Sequence, residues 1–224
     1  MSVAQSVAGG NPERFPAFFE DAPFLDVHDP LAEFLGAVDG GKLRYGYGDV
    51  VRMAGHSCPT VASAFLMTRA ALRHLYGDAL PRRGEIVVEM AEARDAGVTG
   101  VIAGVATYVT GATEDSGFPG IGGRYGRRER LFFNRPLGFG EMRFSRLDRD
   151  GPAVEVAAHL HRVPGDPRGS MLMSMCLQGQ ATEEDANEFR ALWQDRVRRL
   201  LVDHGNDPEV IELREAPRPN LGGH

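Results

Sequence analysis

The sequence predicts an α+β domain in which a mainly antiparallel sheet packs against a long central helix, 59–77, and a C-terminal helix, 182–204. Three observations carry that prediction. The first is an apolar run at helical spacing (Val61, Ala62, Phe65, Leu66, Leu72, Leu75) that opens on Pro59 and closes on Gly77. The second is "ATEEDANEFRALWQDRVRRLLVDHG" (181–205), where Thr182 caps a helix, acids fill its first turn, and Phe189, Trp193, Val197 and Leu200 form one apolar stripe. The third is the set of short β-patterned runs between these helices, an order that marks α+β architecture.

Taken in chain order, residues 1–23 carry scattered Gly, Pro and Ser and read as an N-terminal arm. "DPLAEFLGA" (29–37) predicts a short helix capped by Asp29, with Pro30 first and Gly36 closing it. "GDVVRMAG" (48–55) predicts one or two helical turns ahead of the central helix. "GEIVVEMAEA" (84–93) reads as a strand with Ile86 and Val88 on one face. "VTGVIAGVATYVTG" (98–111) is small and apolar, which predicts a buried helix, with a strand as the alternative its β-branched content allows. Strands are expected over 128–133, 141–147 and 153–163, with 170–179 as a further one. The domain is expected to span 24–205, leaving 206–224 as a tail.

The chain has 224 residues, 42% of them hydrophobic, enough for a real core in one large domain. The formal net charge of −6 argues against general affinity for nucleic acid or anionic membranes. No apolar run approaches the roughly 18 residues a spanning helix needs. "MSVAQSVAGGNPERFP" has neither a basic start nor an apolar stretch, so no secretory signal is expected, and the cytoplasm is the expected location. Cys58 and Cys176 are the only cysteines, too few for a disulfide framework or a four-cysteine zinc knuckle, so any metal must recruit histidine, carboxylate or water.

Four stretches carry candidate chemistry. In "MAGHSCPTVASAF" (53–65), Cys58 falls at the start of the central helix, where unpaired N–H groups favour an anion, and His56 lies two residues before it. Soft sulfur and imidazole together suit Zn, Fe or Cu; the plain alternative is a small buried cysteine and a loop histidine. In "HLH", His159 and His161 share one face of the expected strand, a geometry for a metal or an acid–base pair, or simply for two solvent-facing side chains. His28, in "FLDVHDP", is a third ligand candidate from a loop. In "SMLMSMC", Met171, Met173 and Met175 would share a strand face, as a copper or haem wall or, more commonly, as core filling. The loop "GFPGIGGRYGRRER" (117–130) sets Arg124, Arg127, Arg128 and Arg130 among glycines, which suits an anionic ligand or a plain surface loop. No Walker, G-x-S-x-G or H-E-x-x-H pattern is present.

At "GHSCP" (55–59) the chain resembles the E-subunit-like domains of formylmethanofuran dehydrogenase, in which G-H-x-C-P opens a long helix and carries a metal site. The downstream order is also similar: a strand ending in acids ("VVEMAEARDAG"), a small-residue helix, then "TGAT" (110–113) before a glycine-rich loop, where that family commonly reads T-G-C-T. The likeness covers roughly residues 45–135. Ala54 stands where relatives often have a second histidine, Ala112 stands for the cysteine of T-G-C-T, and the C-terminal four-cysteine module is absent. The resemblance therefore implies a divergent, stand-alone member whose carried-over metal residues are His56 and Cys58.

The leading expectation is a metal-binding protein with Zn or Fe at His56 and Cys58, its shell completed by His159 or His161 first and His28 second. As a metalloenzyme it would use Arg124, Arg127 and Arg128 to orient a small anionic substrate. The competing expectations are a haem- or other cofactor-binding module or sensor, and a non-enzymatic accessory subunit that forms a homodimer.

Overall fold

The computed structural model describes residues 13–218. The fold is mixed α and β, as the sequence predicts. Among the described residues, seven strands form two sheets. A two-stranded antiparallel ribbon pairs β1 (Leu25–His28) with β2 (Lys42–Tyr45), and α1 (Pro30–Phe34) sits in the connection between them. The main sheet has the order β4 (Leu131–Phe132), β3 (Ile86–Met90), β5 (Met142–Arg146), β6 (Ala153–Ala158) and β7 (Ile211–Ala216). All its pairings are antiparallel except β3 with β4, which are parallel and joined through α4 (Thr99–Thr110).

The central helix α3 (Pro59–Tyr76) forms for the reasons its sequence states. Cys58 is the extended N-cap, its Sγ accepts the Val61 N–H at 3.4 Å, and Pro59 occupies the first helical position. Gly77 ends the helix at φ 58°, a conformation that side-chain-bearing residues disfavour. The helix is buried over most of its circumference because it lies between the sheet and α4, with α2 (Tyr47–Ala54) over its start. Fully burying side chains such as Phe65, Leu66 and Leu72 contributes about 1.5–3 kcal/mol each.

The sheet presents its apolar face to α3 and α4 through Ile86, Val88 and Met90, then Met142 and Phe144, then Val154 and Val156. Alternation puts a row of charge on the other face: Glu89, Arg143, Glu155 and Arg214 stand opposite one another across four strands. Arg143 donates to both carboxylates, at 3.2 Å to Glu89 and 2.6 Å to Glu155. The segment 135–140 closes this face, for the Gly138 N–H reaches Glu155 and the Phe139 ring lies under the Arg214 guanidinium.

The C-terminal helix α6 (Glu183–Arg198) carries the expected Thr182 cap, with Asp185 returning to the Thr182 amide. Val197 and Leu200 are buried, whereas Phe189 and Trp193 are only half-buried. Four expectations need correction. "SMLMSMC" is no strand; it lies in α5 (Arg168–Leu177), packed against α6, so Met171, Met173 and Met175 fan around a helix and form no flat wall. The strand expected over 153–163 stops at Ala158 and turns through Leu160–Arg162, because Arg196 of α6 holds the Leu160 and Val163 carbonyls. The stretch 206–224 is more than a tail, for β7 pairs along all of β6. The expected arm 1–23 contributes buried Phe19 and Ala22, while 1–12 lie outside the described residues.

Candidate functional site

The "GHSCP" turn is a rigid junction of three helices. Gly55, at φ 75°, ends α2, and three residues later Cys58 caps α3. Helix α6 holds the turn between them: the Trp193 indole N–H donates to the Ser57 carbonyl at 2.9 Å, and Gln194 donates to it at 3.3 Å. The Ser57 hydroxyl donates to Gln194 Oε1 and meets the Tyr47 hydroxyl at 3.1 Å. Burial pushes the Tyr47 phenol far above its ordinary range. His56 is exposed, and its Nδ1 lies 3.0 Å from the Ala54 carbonyl, so donation there leaves Nε2 with the free lone pair. Cys58 is half-buried with its sulfur on the Val61 amide.

The other histidines are engaged elsewhere. His159 Nε2 meets Glu212 at 2.8 Å, and its ring lies edge-on to His161 at 5.8 Å, so the two are neighbours although no strand holds them. His28 Nε2 meets Glu33 at 2.8 Å. Among the described residues, no three His, Cys, Asp or Glu side chains converge to hold a metal ion. His56, Cys58, His159, His161 and His28 therefore do not assemble into one shell.

The arginine loop folds back onto α1. Arg127 is buried and donates to Asp29 Oδ1 at 2.7 Å, and Arg83 donates to Asp29 Oδ2 at 2.9 Å. Asp29 meanwhile caps α1 through the Leu31 and Ala32 amides. Burial alone would raise this carboxyl, but the Arg83 hydrogen bond and the Arg127 charge outweigh it and hold Asp29 below its ordinary range. Burial lowers Arg127 and Arg130, and their mutual repulsion adds to the effect on Arg130. Arg83 Nε is buried with no hydrogen-bond partner among the described residues. Arg128 braces the loop by donating to the Gly117 carbonyl at 2.6 Å.

In front of this network lies a cleft of about 510 Å³. Its lining includes His28, Glu33, Arg82, Glu85 and Arg124. The Phe34 and Tyr125 rings, also on the lining, stack at 5.2 Å. Arg82 is committed to Glu85 by two hydrogen bonds, and Arg124 has no carboxylate partner among the described residues. The lining itself carries two guanidiniums, Arg82 and Arg124, against two carboxylates, Glu33 and Glu85; Arg83 and Arg127 share the single Asp29 carboxylate off the lining. Sequence reasoning placed Arg124 and His28 as candidates without joining them. It missed Arg82, Arg83 and the second role of Asp29, for which an acid before proline facing a later "RR" turn was the available signal.

No protein-family model matches the chain, and no curated protein matches it significantly.

Proposed function

We propose that the protein binds a small anionic ligand in the cleft between α1 and the arginine loop. The observation that carries this reading is Arg124, an exposed guanidinium on the cleft lining with no carboxylate partner among the described residues, on a loop that the Arg83–Asp29–Arg127 network holds in place. A loop held in place ahead of binding reduces the ordering cost of ligand capture, and the planar guanidinium fork of Arg124 matches carboxylate and phosphate oxygens. The Phe34–Tyr125 pair supplies an apolar edge for the rest of the ligand. The test is thermal unfolding with a panel of phosphate, sulfate, pyruvate and citrate, on wild-type protein and Arg124→Gln. At least one anion raises the wild-type midpoint, and the variant loses most of that gain. An unresponsive wild type, or an equal gain in Arg124→Gln, removes the reading.

A second reading keeps a transition-metal ion at the helix start, supported by the resemblance of the "GHSCP" stretch to formylmethanofuran dehydrogenase domains and by the free Nε2 of His56, two residues before Cys58 in the same turn. Two protein donors do not fit a closed four-ligand zinc centre. They suit an ion whose remaining positions are taken by solvent or substrate. Trp193, the sole tryptophan, donates to the adjacent Ser57 carbonyl, so its fluorescence reports on this turn. Zinc added in equilibrium dialysis binds stoichiometrically and shifts that emission in wild type but not in Cys58→Ala; zinc retained equally by both proteins sinks the reading.

A further inference from the structure

A second, separate cleft lies beside the C-terminal half of the central helix. Arg69 is only 9% exposed, and arginine is almost never buried without a charged partner. Its Nε donates to the Phe24 carbonyl at 3.1 Å and its Nη1 to Asn206 Oδ1 at 2.8 Å, both neutral acceptors. Among the described residues, no carboxylate pairs with it. Arg73, one turn along α3, donates to the same Asn206 oxygen at 3.4 Å and adds a like charge. Burial, and then Arg73, pull the Arg69 guanidinium down to about 10. A desolvated cation left uncompensated in this way is costly, and both arginines line a cleft of about 510 Å³.

The walls of that cleft state what would compensate it. Ala70, Pro208, Ile211 and Leu213 supply its apolar lining. Asp78 and Asp207 stand on the lining as well, and Asp207 is already engaged with His204 at 2.9 Å. His74, also on the lining, is held by Glu215 at 3.2 Å. A single carboxylate can bridge both guanidiniums, which already share the Asn206 oxygen, whereas a second negative charge on the ligand meets the two aspartates. We infer that this cleft binds a small monocarboxylate with a short hydrocarbon body, its carboxylate on Arg69 and Arg73 and its body against Pro208, Ile211 and Leu213.

The site shares no residue with the Arg124 cleft, so the two are tested apart. Butanoate is titrated into wild type, Arg73→Gln, Arg69→Met and Arg124→Gln by calorimetry or ligand-observed NMR, with inorganic phosphate as the comparison ion. Wild type binds butanoate saturably, Arg73→Gln weakens binding about tenfold, as loss of one charged hydrogen bond does, and Arg124→Gln leaves it unchanged. Arg73 is exposed, so its variant decides the matter even if Arg69→Met fails to fold. Absence of saturable binding to wild type, unchanged affinity in Arg73→Gln, or phosphate bound as tightly as butanoate overturns the inference.

Discussion

Asp29 is the residue on which the arginine loop hangs, and Asp29→Ala is the sharpest test of that architecture. The carboxylate is 3% exposed and does two jobs at once. It accepts the Leu31 and Ala32 amides, and it neutralises Arg83 and Arg127. Losing a cap costs about 1 kcal/mol. Stranding a buried partner charge costs about 3–5 kcal/mol, and Arg127, whose side chain is 8% exposed, is such a partner. The stranded charge therefore outweighs the lost cap, and the expected loss is about 3–5 kcal/mol in urea unfolding. For a chain of this size that lowers the melting midpoint by about 6–20 °C. Asp29→Asn keeps an oxygen for the cap and should lie between the two proteins. In wild type the folded carboxyl sits below its ordinary 3.8, so its contribution is complete above that value and is lost as pH falls through the folded pKa. The acid limb of stability should therefore be steeper in wild type than in Asp29→Asn. A loss below about 1 kcal/mol in Asp29→Ala, the size of the cap alone, would refute the claim that this ion network holds the loop.

Two further outcomes follow from the same physics. Burial raises the Glu141 carboxyl above 4.5, against the Ala158 amide and His159, so this group's stabilisation is greatest below pH 4.5 and falls as pH rises through its folded pKa. Glu141→Gln should accordingly be more stable than wild type at pH 7 and indistinguishable from it at pH 4, measured by urea unfolding; a gain of equal size at both pH values would contradict the assignment. Gly84 has φ 86°, and a Cβ there would fall onto the Arg127 guanidinium. Gly84→Ala should cost at least about 1–3 kcal/mol in chemical denaturation through the strained backbone alone, and a neutral substitution would mean that Arg127 is not fixed against it.

Most of the fold could be read wherever local signals coincide. The α3 start was legible because a cap, a proline and an apolar period meet at Cys58, Pro59 and Val61, and α6 was legible through Thr182 and Asp185. The errors arise where a distant element decides. An alternating pattern favours a strand at "SMLMSMC", yet the available partner is α6, and a helix docks there. His159 leaves the sheet because Arg196, far along the chain, captures the carbonyls that follow it. Strand β7 went unseen because "IELREAP" mixes charge with only two large aliphatic residues; the register with β6 sets it, and its own composition does not. At the candidate site, Arg124 and His28 were individually visible, but only the β1–β2 ribbon and the returning loop make them neighbours.

That return depends on "TGAT", which reads differently in three dimensions. Thr110 accepts the Gly84 amide through its carbonyl, and Thr113 binds the Arg127 carbonyl through both its amide and its hydroxyl. The Thr113 carbonyl in turn takes the Arg130 and Leu131 amides, which starts β4. Ala112, the position that the resemblance would give to a thiolate, is wholly buried in the hydrophobic core. In this chain the segment is thus a clamp that fixes the arginine loop over Asp29, with no side chain of its own for chemistry at that position. A metal at His56 and Cys58 would have to form without this element, whereas the proposed anion capture at the Arg124 cleft would depend on it through the loop it holds. The physical consequence is a division of labour: the "TGAT" end of the helix holds the returning loop, and under the anion-binding proposal Arg124 on that loop would supply the recognition.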